Sequence, residues 1–349
     1  MDLIKGIPIN NLYLMLAYAM EKPEIDEEGF GSSEYADSFL DLVSDLLLSC
    51  VSDQVVRGLH CDYTYRKMTS SRVRGKIVMN DTAKLQSKLK SQVVCSTSVY
   101  SSDNVYNRIV KSTLERILLH SIVQDNIKKR IRGMLRHFDG ISPVDLDSIR
   151  WGDLVIWSGN LNYVCILNIC RLVVEDLLPS DSDGNLRMKK PVIPTDDKMS
   201  SIFEKFIKEY YKRHFKGDTL GSNRISWGCY DDYLLPRMQT DVYMRRGNRI
   251  LIIDAKFYRE MLQLNYGTEK QRSENLYQIL SYVMNESFNR DGFDVSGVVL
   301  YARSSGTLPD YDYNICGRRI SFRSLDLSLS FREIASFLDS IVSEGLDVR

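Results

Sequence analysis

Asp241, Asp254 and Lys256 are the three residues of this 349-residue chain whose types and spacing most directly suggest chemistry. Gly247-Asn248 lies between two β-rich runs, a dipeptide that signals a two-residue hairpin loop. With those two residues as the loop, Arg246 faces Arg249. Counting outward then sets Asp241 opposite Asp254. Cross-strand partners share a face with Cβ atoms roughly 4.5–5.5 Å apart. Strand alternation brings Lys256 to that same face and turns Ala255 away. Two carboxylates that close repel one another, and a divalent cation such as Mg²⁺, held by few protein oxygens and several waters, relieves the repulsion. A lysine beside it can orient an attacking water and stabilise charge developing on a phosphate, which is the chemistry of phosphodiester hydrolysis.

The elements that must carry these residues are legible around them. Ile250-Leu251-Ile252-Ile253 is apolar on both faces, as in a buried central strand. Charges at its end therefore sit at a cleft rim rather than on an open hairpin. Gln278 and Tyr282, four apart in Asn275-Leu276-Tyr277-Gln278-Ile279-Leu280-Ser281-Tyr282, share a helix face. Glu204 has two readings. It is a candidate third acid of the site, or the last residue of a capping box in Ser201-Ile202-Phe203-Glu204.

At these positions the chain resembles the PD-(D/E)xK nuclease superfamily, with Thr240 standing where a proline often precedes the first acid. Gln278 and Tyr282 match the Q-x-x-x-Y pattern of its RecB-like branch. Leu235-Pro236-Arg237-Met238-Gln239-Thr240-Asp241, Ile253-Asp254-Ala255-Lys256-Phe257-Tyr258, Gly267-Thr268-Glu269-Lys270 and Asn275-Leu276-Tyr277-Gln278 are similar to the McrC family, the nuclease subunits of McrBC-type modified-cytosine restriction systems. Ile7-Pro8-Ile9-Asn10-Asn11-Leu12-Tyr13-Leu14-Met15-Leu16-Ala17-Tyr18-Ala19, Arg74-Gly75-Lys76-Ile77 and Asn107-Arg108-Ile109-Val110-Lys111-Ser112-Thr113-Leu114 extend that resemblance to the N-terminal half. It implies a Mg²⁺-dependent endonuclease subunit in the cytoplasm, with Asp241 and Asp254 as metal ligands and Lys256 as the lysine. It further implies docking on a McrB-like AAA+ hexamer whose GTP hydrolysis it stimulates, and cleavage of double-stranded DNA bearing modified cytosine. Two other roles stay open: a noncatalytic activator of such a partner, and a stand-alone repair nuclease.

Composition is compatible with these roles without choosing among them. Forty-six basic residues balance 46 acidic ones, so no global field steers the chain to nucleic acid, and affinity must come from a local basic patch or a partner. Seven scattered cysteines lack paired zinc-site spacing and read as thiols of a reducing compartment. The four histidines form no cluster. There is no G-x-S-x-G elbow and no G-x-x-x-x-G-K-[ST], so GTP is expected on a partner rather than here. No secretory signal and no apolar run of membrane-spanning length is expected.

The fold class expected is α/β of the α+β kind. Residues 1–180 read as a helical body with a small β subregion at about 58–100, to which the resemblance assigns partner docking, and 181–197 read as a breaker-rich linker. Residues 198–349 read as a restriction-endonuclease-like core in the order helix, hairpin, helix, strand, strand, helix. Arg72, Arg74 and Lys76 alternate as if along one strand face, available to an acidic partner or to solvent.

Overall fold

The computed structural model describes residues 3–4, 6–27, 38–86, 92–154, 160–177, 194–229, 233–257, 263–265, 268–270, 273–303 and 310–347. It forms two compact units, one of Met1–Leu46 with Lys190–Arg349 and the other of Leu47–Lys189. The chain opens with the antiparallel pair β1 (Leu3–Ile4) and β2 (Ile7–Pro8), then helix α1 (Ile9–Ala19). Helix α2 (Phe39–Arg57) contains the division between the units.

In the second unit, β3 (Asp62–Ser70), β4 (Lys76–Ile77), α3 (Met79–Gln86) and β5 (Val93–Ser101) come first. They are followed by α4 (Val105–Leu119), α5 (Asp125–Leu135) and α6 (Leu161–Leu172). The strands make an antiparallel sheet in the order β3-β5-β4. Two expectations change here. Helix α3 interrupts the β-rich stretch, and only Lys76 of the trio Arg72, Arg74 and Lys76 lies in a strand. The left-handed backbone at Gly75, φ 81°, precedes that short strand, so the three cations do not alternate along one ladder.

The first unit resumes with α7 (Asp196–His214), β6 (Thr219–Gly221), β7 (Arg224–Ile225), β8 (Met238–Gln239), β9 (Val242–Arg246) and β10 (Arg249–Phe257). Then come β11 (Gln263–Asn265), β12 (Thr268–Lys270), α8 (Ser273–Asn289), β13 (Asp294–Arg303), β14 (Tyr311–Ile315), β15 (Arg318–Asp326) and α9 (Phe331–Leu346). A six-stranded sheet in the order β14-β15-β13-β10-β9-β6 forms its body. β10 runs parallel to β13, and β13 parallel to β15, which requires both faces to be covered. Ile250, Ile252, Val295, Val299 and Tyr301 pack with Ile279 and Val283 of α8. A Cβ on Gly297 would meet those α8 side chains at 2.7 Å, so glycine sets how closely α8 approaches the sheet. Gly345 of α9 lies against Leu251 on the other face.

The expected boundaries at 1–180, 181–197 and 198–349 do not match these units, because residues 1–46 pack with the C-terminal body. Tyr18 of α1 lies 5.6 Å ring to ring from Phe206 and stacks on Phe331 at 5.9 Å. The Asn11 amide also donates to the carbonyls of Leu327 and Leu329, both at 2.7 Å. The end of the expected linker is likewise helix: Thr195 caps α7 by accepting from the Lys198 N–H, while 178–193 lie outside the described residues.

Candidate active site

The hairpin turns where the sequence places its loop. Arg246 faces Arg249 and the ladder continues through Ile250↔Arg245, Leu251↔Met244 and Ile252↔Tyr243 to Ile253↔Val242. Gly247 has φ 59° and Asn248 has no positive φ, the pattern of a type II′ loop with glycine first. Pairing stops one step before the acids. Asp241 sits at a bend, and its Oδ2 instead accepts the Ala255 N–H at 2.8 Å, which ties the first acid to the strand of the second.

Asp254 is 1% exposed within the buried stretch of β10, two residues before the half-buried Lys256. Lys256 Nζ donates to its Oδ1 at 3.1 Å and lies 3.0 Å from Oδ2. That second approach lacks hydrogen-bond geometry, so Oδ2 is a buried oxygen with an ionic neighbour and no hydrogen bond. Burial pushes the Asp254 carboxyl up to about 7; Lys256 opposes this, while Asp241 and Glu204 add to it. Asp241 is raised by burial too, against the pull of the Ala255 N–H, Lys256 and Lys208. A carboxylate without enough compensation in a dry site is what a cation would correct.

Glu204 now has one role fewer. Helix α7 begins at Asp196, so Ser201 is an interior helical residue and cannot cap with Glu204. The glutamate is half-buried, hydrogen-bonded to Ser200 Oγ at 3.1 Å, and raised by burial and by the charge of Asp241. It therefore senses the same site as the two aspartates. Lys208, one turn further along α7, draws Asp241 the other way, and sequence reading missed it. Its spacing of four from Glu204 was the available signal.

Gln278 and Tyr282 are joined as their spacing suggests, with Gln278 Nε2 donating to the Tyr282 hydroxyl at 2.9 Å. Tyr282 in turn donates to the Gln239 carbonyl at 3.1 Å, fixing the backbone two residues before Asp241. Thr240 explains the missing proline. Its N–H donates to the Asn223 carbonyl at 3.0 Å and its hydroxyl accepts from the Asn223 N–H at 3.1 Å, a pairing that a proline nitrogen could not make. Tyr258 and Gly267 of the matched segments lie outside the described residues.

Among the described residues, no three His, Cys, Asp or Glu side chains are close enough to hold a metal ion together. The donor set is thus two aspartates with Glu204 nearby. Oxygen donors, few in number and one of them buried without a hydrogen bond, fit Mg²⁺ rather than a softer ion. No described helix is long and apolar enough to cross a membrane.

The curated Escherichia coli K12 protein "Type IV methyl-directed restriction enzyme EcoKMcrBC" is 26% identical over 345 residues, covering 97% of this chain and 98% of its own length. A chain of the Thermococcus gammatolerans assembly described as a half-complex of McrB AAA+ hexamers with bound McrC superposes with a TM-score of 0.54 at 17% identity. That match covers 96% of this chain and 76% of the other, and it establishes likeness of fold. The family model described as McrBC 5-methylcytosine restriction system component matches residues 9–293, and the chain belongs to that family.

Proposed function

We propose that this chain is the DNA-cutting subunit of a modification-dependent restriction complex. In this reading it is a PD-(D/E)xK endonuclease that docks on a hexameric AAA+ GTPase and stimulates its hydrolysis. The observation that carries the nuclease reading is the buried Asp254 of a central strand, with Lys256 Nζ 3.0 Å from it and the half-buried Asp241 tied to the same strand through the Ala255 N–H. Mg²⁺ would be held by Asp241 and Asp254, where it supplies the positive charge that a phosphodiester gains from as it is attacked. Lys256 keeps its ammonium on the same carboxylate and is placed to neutralise charge developing on the phosphate. Asp241 is held to β10 through the Ala255 N–H, so the two acids keep their spacing when a substrate arrives. Tyr282 and Gln278 position the approach to Asp241 rather than meeting substrate.

Membership of the restriction family and the AAA+ assembly of the structural neighbour support the partner reading. In the unit Leu47–Lys189, Tyr63, Tyr65 and Tyr100 are 67%, 80% and 63% exposed on one sheet face, an apolar surface of the kind that marks protein contacts. That unit is assigned the docking role, and GTP is assigned to the partner. The intact acids and lysine weigh against a noncatalytic activator.

The test is cleavage of duplex DNA carrying methylcytosine by the purified chain, with and without the AAA+ partner and GTP, in Mg²⁺ and in EDTA. Mg²⁺-dependent cutting that needs the partner supports the proposal. Cutting that ignores the partner points to a stand-alone nuclease, and stimulated GTP hydrolysis without any cutting points to an activator.

A further inference from the structure

With equal numbers of acidic and basic residues, the chain has no overall attraction for DNA, so any hold on the backbone must be local. The ribbon that delivers Asp241 to the site carries such a feature. β7 and β8 pair antiparallel, Arg224 with Gln239 and Ile225 with Met238. Ile225 and Met238 point inward and are 2% and 4% exposed in the core under α8, whereas Arg224, Arg237 and Gln239 are all exposed. The ribbon is thus two-faced, apolar below and cationic above. Its position is fixed from three sides: Tyr282 donates to the Gln239 carbonyl, Thr240 pairs with Asn223, and Trp227 Nε1 donates to the Pro236 carbonyl at 2.7 Å.

The two arginines differ from most arginines of this unit. Arg246 pairs with Asp218 and Asp347, Arg303 with Asp326, and Arg323 with Asp312 and Glu344. Neither Arg224 nor Arg237 makes an ion pair or a side-chain hydrogen bond among the described residues. A guanidinium with no carboxylate partner among the described residues, on a ribbon held from three sides, is suited to bidentate contact with a phosphate. The distances suit a duplex as well. Gln239, the cross-strand partner of Arg224, lies two residues from Asp241, and Arg237 lies four away. Gln239 and Arg237 are thus at most about 7 and 14 Å of extended chain from Asp241, with Arg224 one strand spacing of ~5 Å beyond Gln239, so both arginines fall within about four nucleotides at ~3.4 Å each.

We propose that the β7–β8 ribbon is a clamp for the phosphate backbone of duplex DNA, with Arg224 and Arg237 holding phosphates within a few nucleotides of the scissile one. This rests on the nuclease reading above and adds to it the means by which a chain of zero net charge grips its substrate. The arginines are positioning residues. They set where the backbone lies and carry no step of the chemistry.

The experiment is equilibrium binding of a fluorescein-labelled linear duplex to the full-length Asp254→Asn chain in EDTA, across a range of salt concentrations. No cutting occurs under these conditions, so failure of the nuclease reading, seen as absent cleavage by the parent chain, is separate from failure of the clamp. Arg224→Gln and Arg237→Gln should each weaken binding about threefold to tenfold and lower the slope of log affinity against log salt by about 0.9 per lost contact. Restoring the charge with Arg224→Lys should recover the slope more fully than the affinity. Arg332→Gln, which removes an exposed arginine of α9, should change neither. Equal loss from all three arginines, no loss from Arg224 and Arg237, or no duplex binding even at the lowest salt would overturn the proposal. Thermal melts matching the parent chain show that the variants are folded.

Discussion

β10 and β3 are both nine-residue strands, and each carries or adjoins a Lys–Asp pair, yet the two pairs behave oppositely. Lys67 and Asp81 meet at 2.7 Å with side chains 63% and 35% exposed, and the lysine holds the Asp81 carboxyl below its usual range. Lys256 and Asp254 meet at 3.0 Å with side chains 15% and 1% exposed, and Asp254 is raised. The exposed carboxyl follows its lysine, and the buried one does not. β3 is the edge of a three-stranded sheet, where water screens the pair and satisfies the carboxylate. β10 lies between β9 and β13, so burial outweighs the attraction of the lysine. The same two residue types thus give a solvated surface in one unit and a charge-poor site in the other. Surroundings, not pairing, separate chemistry from solubility.

Destroying the buried pair should have the largest consequence. Lys256→Ala or Asp241→Ala should lower the rate of DNA cleavage by about 10²–10³-fold or more, the scale of losing a main electrostatic group. Partner-stimulated GTP hydrolysis should stay near the parent level. Single-turnover cleavage beside a phosphate-release assay reads both, and parallel loss of the two activities would place these residues in assembly rather than chemistry.

The exposed ladder should show the complementary defect. Tyr63 and Tyr100 face each other across the strands with ring centroids 5.2 Å apart, and Tyr65 continues that face. Replacing Tyr63 and Tyr65 together with alanine should weaken partner affinity about 30-fold, as for an aromatic hot spot worth roughly 2 kcal/mol. Cleavage should return at saturating partner. A double variant that binds normally would move the docking surface elsewhere.

Tyr282→Phe separates positioning from chemistry. It deletes the hydrogen bond to the Gln239 carbonyl but keeps the ring, so cleavage should fall only about fivefold, near 1 kcal/mol. A loss as large as that of Lys256→Ala would make the hydroxyl a participant in the reaction.

The smallest effect is on stability and comes from the raised Asp254. Its unfolded value is about 3.9. Between there and its folded value of about 7, the folded chain retains a proton that the unfolded chain has released. Stability without metal therefore declines as pH rises through that window and reaches its floor above it. Asp254→Asn cannot ionise and escapes the penalty. In EDTA its Tm should exceed that of the parent by a few degrees above pH 7 and converge with it near pH 4. Equal advantage at both ends would mean that Asp254 is not raised by its site.

The hairpin was legible because its determinants are local. Gly247-Asn248 sets the loop, the Ile250–Ile253 run declares a buried strand, and a period of two carries the count to Asp254 and Lys256. The last step of that count was not legible, since the Asp241 carboxylate takes the Ala255 N–H rather than continuing the ladder. Glu204 was ambiguous for as long as the start of α7 was unknown, and Thr195 as its cap resolves that. The grouping of residues 1–46 with the C-terminal body depends on contacts such as Tyr18 with Phe206 and Phe331, far apart in sequence, which no local pattern encodes. Arg224 and Arg237 were unremarkable in sequence because only the inward turn of Ile225 and Met238 shows which way they face.

The most direct test of the central claim is one reaction followed with two readouts. Parent and Asp254→Asn chains, each assembled with the AAA+ partner, are given GTP, Mg²⁺ and duplex DNA carrying methylcytosine, and strand scission and phosphate release are recorded together. The account predicts that Asp254→Asn abolishes scission while GTP hydrolysis proceeds at the rate of the parent complex. Undiminished scission by Asp254→Asn would contradict it, and the buried aspartate of β10 would then be a structural residue only.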